Sequence, residues 1–444
     1  TAAKVAADVA TQAELDAAIA GLSGTYVRTV NGTGPDGSGN VTVAGGTGAS
    51  LAAEQYLAAQ IPVVEITTAA KAPVTSKVTY LDAVVTVKDG RPDQDPFVSR
   101  CQIRGRGNST WQRPKKPYRL RLPSTAPAAL LGMPADRDWV LLANYLDQTS
   151  IRTAVAMWIG QSWATGLAWT PHFRWVELWL NGQYQGLYQL GEHVKISPGR
   201  VNITKMAATD VSGFPLTGGY SLEIDERLDA AGFRTSTQGI AVTFDDPDGA
   251  VAAQATYLQT HINDFESALY GASWLNPTTG YARYVDLPSF VDWYLVQELL
   301  SNHDSNFYTP CKLYKTRDPD VSTLGKIFMG PMWDFDISLG NEVNDGLASS
   351  GPHPAVGWYT RTGAKWIARM FSDPAFYTLL VSRWTSLKAF LTTGGAADAK
   401  IDLYSATVHA ASLRDQSAWQ YTSDWKASST TLKTWLADRI AWLD

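Results

Sequence analysis

Cysteine is nearly absent: Cys101 and Cys311 are the only two in 444 residues, too few for a disulfide framework or a cysteine-rich zinc site. They read as small buried hydrophobes. No apolar run approaches the ~18 residues a membrane-crossing helix needs. The opening residues lack the basic-then-apolar pattern of a signal peptide. Positive charge is not in excess, with 37 Lys and Arg against 42 Asp and Glu for a formal net charge of −5. That balance excludes nucleic-acid or polyanion binding as the main activity. There is also no G-x-S-x-G and no Cys–His pairing, which removes hydrolases of the nucleophile-elbow type. Tryptophan runs the other way, at 17 residues, and the length suffices for two or three units with a sizeable core.

Residues 1–50 are rich in Ala, Thr and Gly and contain no Trp or Phe. Thr11 and Glu14 form a capping box opening a short helix through Leu22, closed by Ser23 and Gly24. Leu15, Ile19 and Leu22 make its apolar stripe. About eleven residues do not hold a helix alone, so the stripe needs a partner, either the body of this chain or copies of itself. Two β-branched runs follow around Asn31-Gly32 and Pro35-Asp36-Gly37, the signal of a small β-hairpin. The string VNG…PDG…GNVTV resembles segments of bacteriophage tail-fibre and receptor-binding proteins. That resemblance implies a virion setting, other virion proteins as partners, a host-surface receptor and a homotrimer through residues 11–22. The same segment also reads as a secretion-type linker.

From Leu51 the pattern becomes globular. Strands are expected over 61–68, 77–87, 97–103 and 219–224, with a hairpin at Asn181-Gly182 between 175–180 and 184–190. Helices are expected over 150–163, 250–270 and 287–302, and through most of the last eighty residues. Strands first and helices later imply an α+β body.

The densest chemistry lies in Arg104, Gly105, Arg106, Gly107, Asn108, Ser109, Thr110 and Trp111, followed by Lys115 and Lys116. The glycines let a ligand approach the backbone, and the loop offers donors and fixed positive charge. Strand alternation puts Lys116 on a face with Tyr118, Leu120 and Leu122, and Lys115 on the other with Arg119 and Arg121. An inward Lys116 needs an anion, and a glycine loop beside it suits phosphate. Downstream, Asp304 ends a helical stretch, and Asp334 and Asp336 alternate with Phe335 and Ile337 on one side of an extended segment. Paired carboxylates repel unless a cation lies between them. Mg²⁺ or Mn²⁺ with a bound phosphate fits that need. Turn and cap chemistry also fits both acidic segments.

Residues 104–111, 115–122, 139–152, 186–192, 302–304, 333–341 and 432–444 resemble the CotH family of atypical, spore-coat-type protein kinases. The resemblance spans about residue 60 to 444. It implies a divergent, two-lobed protein-kinase-like fold: a sheet-rich N-lobe over about 51–225 and a helical C-lobe over about 226–444, preceded by the short helix and β-hairpin. It implies ATP with Mg²⁺ or Mn²⁺, a protein Ser or Thr as acceptor, and a bacterial cell or spore surface as an alternative to the virion. By position, Lys116 would hold the ATP phosphates under the 104–111 loop. Asp304 would be the catalytic aspartate, with Asp334 or Asp336 on the metal. Glu192 or Asp147 would pair with the lysine, unless Asp147 is tied to Arg152. One departure stands out. Kinases place a metal-holding Asn five residues after the catalytic Asp; here that residue is Thr309, and the asparagine is Asn306. A rebuilt metal site or a non-catalytic binding protein both follow from it.

Overall fold

The computed structural model describes residues 61–89, 95–228, 230–341, 354–420 and 425–444. The helix and hairpin expected within residues 1–50 lie outside them. Seven strands form a closed barrel: β1 (Val63–Thr68), β2 (Leu81–Lys88), β3 (Phe97–Gly105), β4 (Tyr118–Arg121), β5 (Asp138–Leu142), β6 (Phe173–Leu180) and β7 (Gln183–Glu192). Alternation builds it: Ala83, Val85 and Val87 of β2 point inward, as do Cys101 and Ile103 of β3. Asn181 (φ 54°) and Gly182 (φ 80°) make the tight β6–β7 turn. Closure comes from β1, which pairs antiparallel with β2 and parallel with β6.

A second sheet holds β8 (Tyr220–Ile224), β9 (Gly232–Arg234), β10 (Ala241–Asp246), β11 (Cys311–Lys315) and β12 (Ile327–Met329), in the order β12–β11–β8–β10–β9. The longer helices are α1 (Arg152–Ser162), α2 (Ala252–Tyr270), α3 (Leu287–Leu300), α4 (Pro374–Thr392), α5 (Ala396–Trp419) and α6 (Trp425–Leu443). The architecture is α+β, with a sheet-rich first part and a helical last part. The expected division near residue 225 falls inside the second sheet, because β8 precedes it and β9 to β12 follow.

α3 is buried on every side, polar Asp292, Gln297 and Glu298 included, with Phe290, Val291, Trp293, Val296, Leu299 and Leu300 in the core. Asp286 caps its start by accepting from the Ser289 amide at 3.0 Å. Two buried ion pairs tie distant parts of the chain. Lys115, just before β4, meets Asp415 of α5 at 2.7 Å. Arg439 of α6 meets Glu298 of α3 at 2.8 Å and also donates to the Gly357 carbonyl at 2.6 Å.

Candidate active site

The loop between β3 and β4 is shaped by two close approaches. A Cβ on Gly105 would lie 2.4 Å from the Trp111 ring. Gly107 has φ +80°, and a Cβ there would lie 2.1 Å from Thr110 Oγ1. Neither position has room for a larger residue without moving the loop. Lys77 Nζ holds the Gly107 carbonyl at 2.9 Å, and Ser109–Gln112 form a 3-10 turn. Arg104, Arg106, Gly107, Asn108 and Ser109 line a cleft of about 1180 Å³, with Gly105 behind them.

The lysines differ from expectation. Lys116 donates to the Trp111 carbonyl at 2.7 Å, half-buried, and does not line the cleft. Lys115 is the buried one, bonded to Asp415 and to the Leu187 carbonyl at 2.7 Å. The reason is local: β4 begins only at Tyr118, so Pro117 separates the lysines from the alternating segment. Neither of these lysines supplies the cleft's positive charge, which includes Arg119 and Arg121 beside Arg104 and Arg106, with Lys195, Lys205 and Lys312 also lining it. Glu192 bonds to His172 rather than to either lysine; its carboxylate accepts from the His172 amide and faces the His172 ring, each at 2.8 Å. Asp147 accepts from Arg152 at 2.6 Å, leaving it as a core ion pair.

The expected carboxylates line the same cleft. Asp304 sits in the turn after α3, and Asp334 and Asp336 follow β12; all three line the cleft. Asp334 has φ 60°, a backbone state that costs a non-glycine residue and recurs at functional sites. Burial pushes the Asp304 carboxyl up, and the neighbouring Asp334 charge adds to it. Asp336 is raised by burial and then by Asp334 and Asp304. Asp334 is also raised by burial, opposed by Arg106. Asp304 and Asp336 thus carry a raising contribution from neighbouring carboxylates, and a cation between such groups would relieve it.

Among the described residues no three acidic, His or Cys groups converge closely enough to hold a metal unaided. Two carboxylates completed by phosphate oxygens and water are the usual Mg²⁺ set, and Asp334 with Asp336 fits that partial cradle. Asn306 is not at the cleft. It packs against Gly363, where an added Cβ would lie 2.3 Å from Asn306 Cβ, and its Oδ1 is buried without a protein partner. Thr309 lines the cleft in its place, its hydroxyl accepting from Arg227 at 3.1 Å.

Sequence reasoning missed Arg119, Arg227 and the cluster of Lys312 with Glu223 and Asp245. Lys312 binds the Glu223 carboxylate and meets Asp245 at 2.8 Å. A signal existed in Tyr220–Ile224, where Glu223 is the one charge in an apolar strand. Its partner lies 89 residues away, which no local pattern reveals.

A family profile described as CotH kinase protein matches residues 103–443. The chain belongs to the CotH kinase protein family. The match covers the cleft-lining arginines and every expected carboxylate, from the end of β3 through α6. No match was found among curated proteins. Nothing supports the tail-fibre resemblance of residues 1–50, which precede the matched region and lie outside the described residues. No described helix is long and apolar enough to cross a membrane.

Proposed function

We propose that this CotH-family chain is an ATP-dependent protein kinase that transfers the γ-phosphoryl group to a Ser or Thr hydroxyl of a protein. One observation carries the reading: Asp304, then the β11–β12 hairpin, then Asp334 and Asp336 line one cleft together with the arginine-bearing glycine loop. Protein kinases set out their catalytic aspartate, hairpin and metal aspartate in that order. Arg104, Arg106, Arg119 and Arg121 would hold the triphosphate, with the Gly107–Ser109 backbone covering it. Asp334 and Asp336 would hold Mg²⁺ or Mn²⁺, which neutralises charge on the phosphates. Asp304 orients the acceptor hydroxyl and takes its proton. The acceptor oxygen–phosphorus bond forms, the bond to the bridging oxygen breaks, and its electron pair leaves on ADP. A bacterial cell or spore surface is the setting compatible with the family.

Asn306 favours a second reading, in which the cleft binds nucleotide without transferring phosphate. One experiment separates the two. The full chain is incubated with γ-labelled ATP, Mg²⁺ or Mn²⁺ and a generic protein acceptor, alongside a nucleotide-dependent melting assay. The kinase reading expects label on protein and a loss of about 100-fold or more in Asp304→Asn. A melting shift without label would favour binding alone, and the absence of both would sink both readings.

A further inference from the structure

We propose that Arg227 is a catalytic residue of this site, its guanidinium holding the transferred phosphoryl group where two-metal kinases place their second ion. The proposal rests on the kinase reading above. In kinases an asparagine five residues beyond the catalytic aspartate holds that second ion. Here the position is Thr309, a neutral hydroxyl that already accepts from Arg227 Nη2 at 3.1 Å. Asn306, the nearby asparagine, is packed against Gly363 and does not line the cleft. The usual second-ion ligand is therefore missing from the cleft, and a cation stands at its position.

Arg227 is exposed to the cleft but anchored at its base. It follows β8, and the Asp225 carboxylate accepts its backbone amide at 3.0 Å and faces Nε at 3.6 Å. Asp225 is 3% exposed, so the anchor is rigid. The Arg227 side chain is 36% exposed and lines the cleft with Asp304, Thr309 and Asp334. A guanidinium has five N–H donors, more than Thr309 and Asp225 take up. It carries a delocalised positive charge, and its fork matches phosphate oxygens. One fixed positive charge thereby takes over charge stabilisation with no metal ligand required. The bond changes are those given above; Arg227 contributes hydrogen bonds and charge and exchanges no proton.

The test uses the full chain. Mn²⁺ is titrated with a non-hydrolysable ATP analogue and the bound ions are counted by electron paramagnetic resonance, while turnover is measured with labelled ATP. We expect one Mn²⁺ per nucleotide-bound chain. Arg227→Met should lower turnover at saturating ATP by about 100-fold or more, the range for removing a preorganised donor at a developing charge. Arg227→Lys should recover about tenfold of that loss, since the charge returns without the fork. Thr309→Val, which removes only the bracing hydroxyl, should cost less than about tenfold. Two Mn²⁺ per chain, or Arg227→Met turnover within about threefold of native, overturns the proposal. Should Arg227→Met fail to fold, Arg227→Gln and Arg227→Lys supply the same comparison. If the native chain binds nucleotide without turnover, a loss of analogue affinity in Arg227→Met supports the contact, and unchanged affinity overturns it. A native chain that binds no nucleotide defeats the kinase reading and this proposal together.

Discussion

Asp138, at the start of β5, gathers three cations. Lys195 lies 2.8 Å from one carboxylate oxygen, while Arg121 at 3.1 Å and Arg119 at 3.3 Å share the other. Burial works to raise this carboxyl, but the three cations outweigh it and hold it below its ordinary value of 3.8. A depressed folded-state pKa contributes stability that is present above the unfolded value and lost as pH falls below it. Asp138→Asn should therefore be less stable than the native chain at about pH 7, with the gap closing as pH falls below about 4. Urea midpoints measured across that range check this, and a gap that widens on acidification would contradict it. The two lysines show what alternation could not supply at this scale. Lys115 and Lys116 are adjacent, yet one sits fully buried on Asp415, 300 residues later, and the other rests on its own loop. The right residue pair was visible in the sequence; which member turned inward depended on Pro117 and a helix far along the chain.

The strand–loop–strand unit from β3 to β4 ties fold to function at the next scale. Gly107 lies in the left-handed region with Thr110 against it. Gly107→Val would carry a strained backbone and a clash, costing about 1–3 kcal/mol if the loop held its shape. The loop is exposed enough to move, so the expected result is a displaced cleft wall. ATP affinity should fall by about tenfold or more, a loss of about 1.4 kcal/mol or more in binding, while the melting temperature drops by only a few degrees. Calorimetric binding and thermal scans together check this. Unchanged affinity would remove the loop from the nucleotide site. Elements with strong local signals were legible: the Asn181-Gly182 hairpin, and α1, α2 and α3 within a few residues of their expected bounds. The strands β9, β11 and β12, of three to five residues each, carry too little pattern to read. β9 is placed by pairing with β10, and β11 by pairing with β8 when the chain returns after α2 and α3, with β12 then pairing on β11. Asp304, Asp334 and Asp336 were legible because acids among apolar residues need a reason. Arg227 was not, since an exposed arginine after a strand is ordinary until its neighbours are known.

Across the whole molecule, the last helix and the core are joined by Arg439 and Glu298, both buried, and the barrel and α5 by Lys115 and Asp415. These ties join the barrel and α3 to the last two helices. The barrel adds a constraint of its own. β1 lies between β2 and β6 and fills both of their ladders, with Val63, Val64 and Ile66 buried. The family match begins at residue 103, two residues before β3 ends, so β1, β2 and most of β3 precede it. A polypeptide begun there would bare the flank of β6 that β1 covers and the flank of the β3 remnant that β2 covers, and open strand flanks recruit other chains. It should precipitate or elute as large assemblies on size-exclusion chromatography, whereas one begun at residue 61 should stay dispersed. The homology boundary is thus not a cutting site: strand flanks inside the matched region are covered by residues that precede it.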